Sequence, residues 1–562
     1  MKIQIKLISI FLFFIFNRHL FSQDFNLRWS YNFESGSITY ATPTFEKINN
    51  DNILDLLVVY YSNGQGYLAC IDGITADTIW NSRIKNNYPY GNAITHDVNR
   101  DFIPDAIVAG TLGELNCIDG ATGKLIWEFY NDSINPLAIE LYSFYNPKFI
   151  RDVNNDGISD LLISNGGNPD LEPYSTERKT GFLYILDPTN GSVIAKDSFP
   201  DKKETYFSPI VFGDFVLYGT GGETDTGSLW ITNIEDILNE KVFTHSLRLV
   251  GPYKKGFIQP AIIADINGDN IKDIIAVNLD GHIDLIDGIS HTSFWHKQFE
   301  GYEIYTEPSI VFYDNDNFPD IYITLSKGQF DDEQPYDGFK NIIINSKSKE
   351  IIDIDSLGYY YQSQTNISYL YHNELHVIST PNSNIDSILY ISFLDNNLST
   401  NNITNVLPPQ MGYNFFNTPT LKDIDNDGLA ELFILYHDNV TNNIIINCFS
   451  TSIHQDSVIW STYYGNNHNS IFDNNIFTSI KNFEEIREIK VFPTITNDFL
   501  TLLTVDFPNK EYFNIYSLSG QRYMSGAILQ DKKIDVSSLP TGEYIITFII
   551  DNFNFYAKFV KI

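Results

Sequence analysis

Four nine-residue segments of the chain carry oxygen-bearing side chains at alternating positions: DVNRDFIPD, DVNNDGISD, DINGDNIKD and DIDNDGLAE. The side chains at the first, third, fifth and ninth places are Asp97, Asn99, Asp101 and Asp105; Asp152, Asn154, Asp156 and Asp160; Asp265, Asn267, Asp269 and Asp273; and Asp423, Asp425, Asp427 and Glu431. A loop of this kind points alternate oxygens into one hole. Gly or Asn at position six lets the chain bend, and position seven offers a backbone carbonyl. A hard cation with six to eight oxygen ligands suits such a hole, and calcium suits it better than magnesium, which demands octahedral geometry and keeps its waters. Without an ion the clustered carboxylates repel one another, so the role is structural rather than catalytic. The competing reading is an ordinary Asx-rich turn.

Two further copies are worn. KINNDNILD begins with Lys47 and FYDNDNFPD with Phe312, while both keep oxygen side chains at the third, fifth and ninth places. Two more repeats have lost the loop, around Ser208 to Gly219 and Thr365 to Ser379. Counting remnants gives eight units about 47 to 58 residues apart, the length of a four-stranded propeller blade. Each unit runs strand, acidic loop, strand, a Gly-led strand, a tight turn of the type IDG-x-TG, and a closing strand ending in IW. β-branched and aromatic residues with turn punctuation dominate, and no sustained helical period occurs. A further closing-type strand, LRWSYNF (Leu27 to Phe33), precedes the first unit and is placed to pair into the last blade, removing the free edge of an open ring. The expectation is an all-β chain, a seven- or eight-bladed β-propeller over residues 27–475.

These loops resemble FG-GAP or VCBS-type repeats, as in the integrin α-subunit propeller, and CIDGATGKLIWEF (Cys117 to Phe129) is similar to the blade phrase of quinoprotein-like propellers. The first resemblance implies a calcium-stabilised adhesion or glycan- or protein-binding module. The second implies a quinone-dependent dehydrogenase, but the vicinal cysteine pair common in such enzymes is missing from the sequence.

With 70 acidic against 36 basic residues the formal net charge is -34, which repels nucleic acids and anionic membranes and draws divalent cations. Lys2 and Lys6 followed by an apolar run from Leu7 to Phe16 read as a secretory signal peptide over residues 1–22. The run is too short to span a membrane, and no later stretch is long and apolar enough. Cys70, Cys117 and Cys448 lack metal or redox spacing and read as core residues.

After a linker at 476–486 the blade pattern stops, and residues 487–562 alternate in short strands with Gly and Pro turns, suggesting a small β-sandwich. Val491, Pro493, Asn497, Asp498, Tyr516, Gly520, Leu539, Pro540, Gly542, Tyr544 and Lys558 to Lys561 resemble the type A sorting domain of the type IX secretion system, confined to Bacteroidota; Ile495 stands where that family has a second proline. The resemblance implies the secretion machinery as a partner and a secreted or cell-surface destination. An accessory fibronectin-like domain is the competing reading.

In an antiparallel blade the acidic loop and the IDG-x-TG turn share one face. The longer insertions, at 166–180, 219–226 and 326–338, fall on the other, where function on a rigid scaffold is expected. An aromatic also recurs before the first strand of most units: Tyr40, Tyr90, Tyr145, Tyr206, Phe257, Tyr305 and Phe416. These rings form either a stacking surface at the channel mouth or repeated inter-blade packing. A propeller lyase or glycosidase would need paired carboxylates or a basic group there, and Asp170, Glu172, Glu177 and Arg178 are available. The 11 histidines show no metal-ligand spacing, and no nucleophile or phosphate motif occurs.

Overall fold

The computed structural model describes residues 25–49, 51–85, 91–110, 114–129, 143–166, 180–314, 316, 318–328, 338–354, 363–371, 374–382, 388–389, 392–394, 410–414, 416–473, 487–488, 490–503, 512–517, 522–527, 532–550 and 553–562. The signal-peptide segment, the 476–486 linker, Tyr90, Gly520 and the candidate Asp170, Glu172, Glu177 and Arg178 lie outside these residues. The chain divides into two compact units, Met1–Asp473 and Asn474–Ile562.

Among the described residues the first unit contains eight antiparallel sheets. Blade 1 comprises Thr44–Glu46, Asp55–Ser62, Gln65–Ile71 and Thr78–Ile84, and blade 2 comprises Ile94–His96, Asp105–Ala109, Leu115–Ile118 and Leu125–Phe129. Blades 3 to 6 follow at 143–198, 210–253, 262–298 and 302–354. Blade 7 pairs Ile367–Tyr371, Glu374–Ser379 and Ser392–Leu394. In blade 8, Thr420–Lys422, Glu431–Asp438 and Asn443–Ser450 are joined by Asn26–Asn32. The N-terminal strand thus supplies the last blade's outer strand, and the described residues form eight blades.

Second strands such as DLLVVYYS are buried nearly throughout because both faces of a blade pack on neighbours, whereas the fourth strand TIWNSRI alternates toward water. The core therefore lies between blades: Val59 and Leu68 of blade 1 pack with Ala106 and Val108 of blade 2. Tryptophans of the closing strands tie three successive seams, Trp29 Nε1 donating to Gly73 O at 2.9 Å, Trp80 to Gly120 O at 2.7 Å and Trp127 to Pro188 O at 2.6 Å. Gly123 (φ +69°) lets the next turn lie flat on the Trp80 ring, where a Cβ would come within 2.8 Å of it. Cys70, Cys117 and Cys448 are free and buried, each in a different blade.

The chain leaving blade 8 turns inward. Val458–Trp460 pairs antiparallel with the first strand of blade 7, Leu421 N–H of blade 8 donates to Ser461 O at 3.0 Å, and Ile471 bridges in parallel to Ile263 of blade 5. Residues 458–472 thus form a hairpin that descends from the acidic-loop face along the inner strands and returns to it. Two short helices, Ile234–Leu238 and Val242–His245, replace the tight turn of blade 4, the first capped by Asn233.

In the second unit, a sheet containing Tyr512–Ser517, Arg522–Ala527, Gly542–Ile550 and Phe553–Lys561 and a three-stranded sheet of Lys490–Phe492, Phe499–Leu503 and Lys533–Asp535 share a core that includes Val491, Leu500, Ile515, Leu539, Tyr544 and Phe559. This is the expected small β-sandwich, with Tyr544 Oη donating to Pro540 O at 2.8 Å.

Candidate functional site: the acidic loops and the opposite channel mouth

All four intact loops close on themselves through their own side chains. The first-position carboxylate accepts from the backbone of positions four and six: Asp97 from Arg100 and Phe102 at 2.7 and 3.0 Å, Asp152 from Asn155 and Gly157 at 2.6 and 2.8 Å, Asp265 from Gly268 and Asn270 at 2.7 and 3.0 Å. Asp423 accepts from Gly428 N–H at 2.9 Å. The third-position Asn99, Asn154 and Asn267 each accept the N–H of position five at 2.9 Å. Asp101, Asp156, Asp269 and Asp427 accept the N–H of position seven at 2.8 to 2.9 Å. Position six is left-handed in all four intact loops, including at Phe102 (φ +72°), which is 92% exposed.

The ninth-position carboxylate acts differently. Asp105 is fully buried; its Oδ2 accepts from Val98 and Asn99 N–H at 3.0 and 3.1 Å, and its Oδ1 from Gly120 N–H of the IDG turn at 3.0 Å. Asp273 repeats this with Gly288 at 3.1 Å, Asp55 of the first worn loop with Gly73 at 3.4 Å, and Asp320 of the second with Ser346 at 2.9 Å. The loop and the turn therefore share one face and are stapled by this residue. In blades 1, 2 and 5 the turn presses on the loop backbone and leaves no room for a side chain: a Cβ on Gly120 would lie 1.9 Å from Pro104 O. Burial pushes Asp55, Asp105, Asp273 and Asp320 up to about 6.

Two blades break the staple. In blade 3 the turn residue is Pro188, which has no N–H, and Asp160 Oδ1 is buried without a hydrogen-bond partner. In blade 8 the closing strand comes from the N-terminus, so no turn exists; Arg28 on that strand reaches over instead, donating to Asp425 Oδ2 at 3.1 Å from both Nη atoms and to Glu431 Oε1 at 2.7 Å. Among the described residues, Asp423, Asp425 and Glu431 are the carboxylates that each bring one oxygen within 4.8 Å of the others. Asp423 Oδ1 and Asp425 Oδ1 remain buried without partners even so. Orphaned buried oxygens in loops of oxygen donors fit a hard cation, so the residues of blades 3 and 8 are compatible with calcium. Arg28 escaped the sequence reading. Its only signal was a lone basic residue in a closing strand that comes without a turn of its own.

The worn loops depart as their first residues imply. Phe312 is buried and meets Phe472 of the axial hairpin at 6.0 Å between centroids.

The axis itself is filled by the chain. Tyr464 N–H and Ser470 Oγ donate to the two oxygens of Glu307 at 2.9 and 2.8 Å, Asn146 Nδ2 donates to Tyr464 Oη at 2.7 Å, and Lys148 Nζ donates to His468 O at 2.8 Å while lying 3.7 Å from the Tyr464 ring centroid. Burial lowers Lys148 and raises Glu307, their mutual attraction opposing both shifts. Around this filling, a belt of buried amides links the entries of successive blades: Asn92 Oδ1 accepts from Thr42 N–H, Asn146 Oδ1 from Asn92 N–H, and Asn417 Nδ2 donates to Ala41 O, each at 2.8 Å. Nothing in the repeat pattern signalled the hairpin, which lies past the last unit.

Of the recurring aromatics, Phe257 is buried and serves packing, whereas Tyr40, Tyr145, Tyr206, Tyr305 and Phe416 are half-buried at the mouth opposite the acidic loops. Tyr145 and Tyr206 touch, with centroids 5.7 Å apart. The insertion at 219–226 is largely folded down, with Lys203 paired to Asp225.

No family model and no curated protein matches the chain. Solved structures do resemble it: the europium-containing methanol dehydrogenase at 9% identity over 76% of this chain and 93% of that chain (TM-score 0.50), the quinohemoprotein alcohol dehydrogenase from Comamonas testosteroni at 13% over 76% of each (TM-score 0.48), and BamB from Moraxella catarrhalis at 10% over 76% and 100% (TM-score 0.42). Likeness at such identity concerns the fold, a β-propeller.

Proposed function

We propose that this chain is a secreted, calcium-stabilised, non-catalytic propeller that binds an extracellular glycan or protein through the channel mouth opposite its acidic loops. The observation that carries the reading is the half-buried ring of Tyr40, Tyr145, Tyr206, Tyr305 and Phe416 around an axis sealed by the chain's own hairpin. Aromatic rings held at a rigid, closed mouth offer stacking area without a through-channel. In this reading calcium binds the loops of Asp97 to Asp105, Asp152 to Asp160, Asp265 to Asp273 and Asp423 to Glu431, with the orphaned oxygens of blades 3 and 8 as its best-supported ligands. The ion neutralises buried carboxylate charge and stiffens the loops. The segment 1–22 directs export, and the sandwich unit is a sorting domain read by the type IX secretion machinery, as its motif residues suggest.

A quinone-dependent dehydrogenase is disfavoured by the same axis: a cofactor placed there would have to displace Tyr463, Tyr464 and His468, all packed inside the ring. The test is a glycan array on the calcium-loaded secreted chain beside thermal unfolding with calcium and with chelator. Array binding lost in Tyr145→Ala/Tyr206→Ala, together with a lower melting temperature on chelation, supports the reading. A melting temperature indifferent to chelator refutes the calcium assignment, and binding indifferent to the tyrosines refutes the mouth.

A further inference from the structure

On the face opposite the acidic loops, a cavity of about 230 Å³ opens between blades 8 and 1. Ile38, Leu435 and Ile444 give it apolar walls, and Tyr40, Tyr413 and His437 also line it. The Tyr413 and His437 rings lie against each other, centroids 4.8 Å apart. His437 Nδ1 is buried without a hydrogen-bond partner. A bare acceptor is better tolerated there than a bare donor, so the proton belongs on Nε2. Burial also disfavours the charged imidazolium, and burial alone raises Tyr413, with no hydrogen bond contributing. The cavity is thus apolar-walled and uncharged among its described lining residues, with an imidazole N–H and a phenol hydroxyl left to offer.

We propose that this cavity binds one neutral pyranose ring, the terminal sugar of a glycan, with its C–H face against the apolar and aromatic wall and its hydroxyls bonded to Tyr413 and His437. The proposal rests on the reading of the propeller as a glycan binder and names the site and the sugar class. A pyranose combines an apolar face with a hydroxyl rim, which is what these walls accommodate. The volume is below the roughly 300–1,000 Å³ of sites for drug-sized ligands, so one ring fits rather than a chain. An aromatic peptide side chain would fill the same space but leave the Tyr413 hydroxyl and the His437 N–H dry and unpaired. Uronates and sulfated sugars are repelled by a chain of net charge -34.

The test is saturation-transfer NMR and calorimetry on the full secreted chain with the methyl glycosides of glucose, galactose and mannose, methyl glucuronide, and N-acetyl-tryptophanamide. The variants are Tyr413→Phe and His437→Phe, which keep the rings, and Phe102→Ala on the far face. At least one neutral hexoside is expected to bind, about tenfold more weakly in Tyr413→Phe and in His437→Phe and unchanged in Phe102→Ala. Affinity unchanged in both ring variants, preference for the glucuronide or the tryptophan amide, or no hexoside binding overturns the proposal. If the glycan array still shows tyrosine-dependent binding in that event, the mouth reading survives the cavity; an empty array removes both.

Discussion

Arg28 is the single cation that stands in for a missing turn, and replacing it by methionine tests how blade 8 neutralises its loop. Arg28→Met removes two contacts to Asp425 and one to Glu431, whose side chain is only 3% exposed, while leaving the aliphatic stem in place. Breaking a buried pair from one side costs about 3–5 kcal/mol, discounted here because the Arg28 side chain is 25% exposed, to about 2–3 kcal/mol in chelator at pH 8. With an unfolding entropy of about 2.1 cal/mol/K per residue and roughly 450 residues melting together, the melting temperature falls by roughly 3 °C. The deficit depends on pH. Burial raises Glu431 to about 7 even with Arg28 pulling it down, so by pH 5.5 the carboxyl is already protonated in the folded protein and the arginine has less to hold. The gap between parent and variant is therefore widest at pH 8 and narrows toward pH 5.5. With calcium held in this loop as proposed, millimolar calcium narrows it too, since Asp423, Asp425 and Glu431 each bring one oxygen within 4.8 Å of the others. Differential scanning calorimetry at three pH values, with chelator and with calcium, reads all of this. Equal melting temperatures in chelator at pH 8, or a gap that widens on acidification, refutes the reasoning.

Other perturbations have defined outcomes. Gly120→Ala drives a methyl into Pro104 O and parts the turn from Asp105, lowering stability by about 2–3 kcal/mol, measurable by urea unfolding. Because burial raises Asp55, Asp105, Asp273 and Asp320 to about 6, the folded chain holds extra protons between about pH 4 and 6; in chelator its stability therefore declines as pH rises through that window, and calcium, which binds the ionised forms, offsets the decline. Glu307→Ala deprives Tyr464 N–H and Ser470 Oγ of their acceptor, costing about 2–3 kcal/mol and opening residues 461–473 to limited proteolysis. Trp80→Phe loses the bond to Gly120 O and about 1 kcal/mol, seen as a lower melting temperature.

The blades were legible because most of them repeat parts of one local phrase: a buried second strand, an Asx-rich loop, a glycine turn and a tryptophan. The pairing of Asn26–Asn32 into blade 8 was legible for the same reason, as LRWSYNF is a closing strand without a blade. Ambiguity between seven and eight blades arose because that strand precedes the first unit, and the sequence alone left open whether it completes the last blade. What the sequence hides is anything used once. Arg28 substitutes for a turn that its own blade does not have, Pro188 removes a donor that its siblings supply, and the 458–472 hairpin packs on inner strands whose apolar residues already read as ordinary core. The cavity by Tyr413 and His437 joins blade 8 to the entry of blade 1, residues nearly 400 apart in the chain, and no spacing rule connects them.

The hairpin on the axis also decides how the ring responds to load. Its strands bond to blades 5, 7 and 8, and its side chains to blades 3 and 6, so a pull on Asp473 is shared among five blades before any one yields. A pull at the N-terminus meets a single strand at the outer edge of blade 8 and unzips it one bond pair at a time. The propeller is thus a strong anchor from its C-terminal end and a weak one from its N-terminal end.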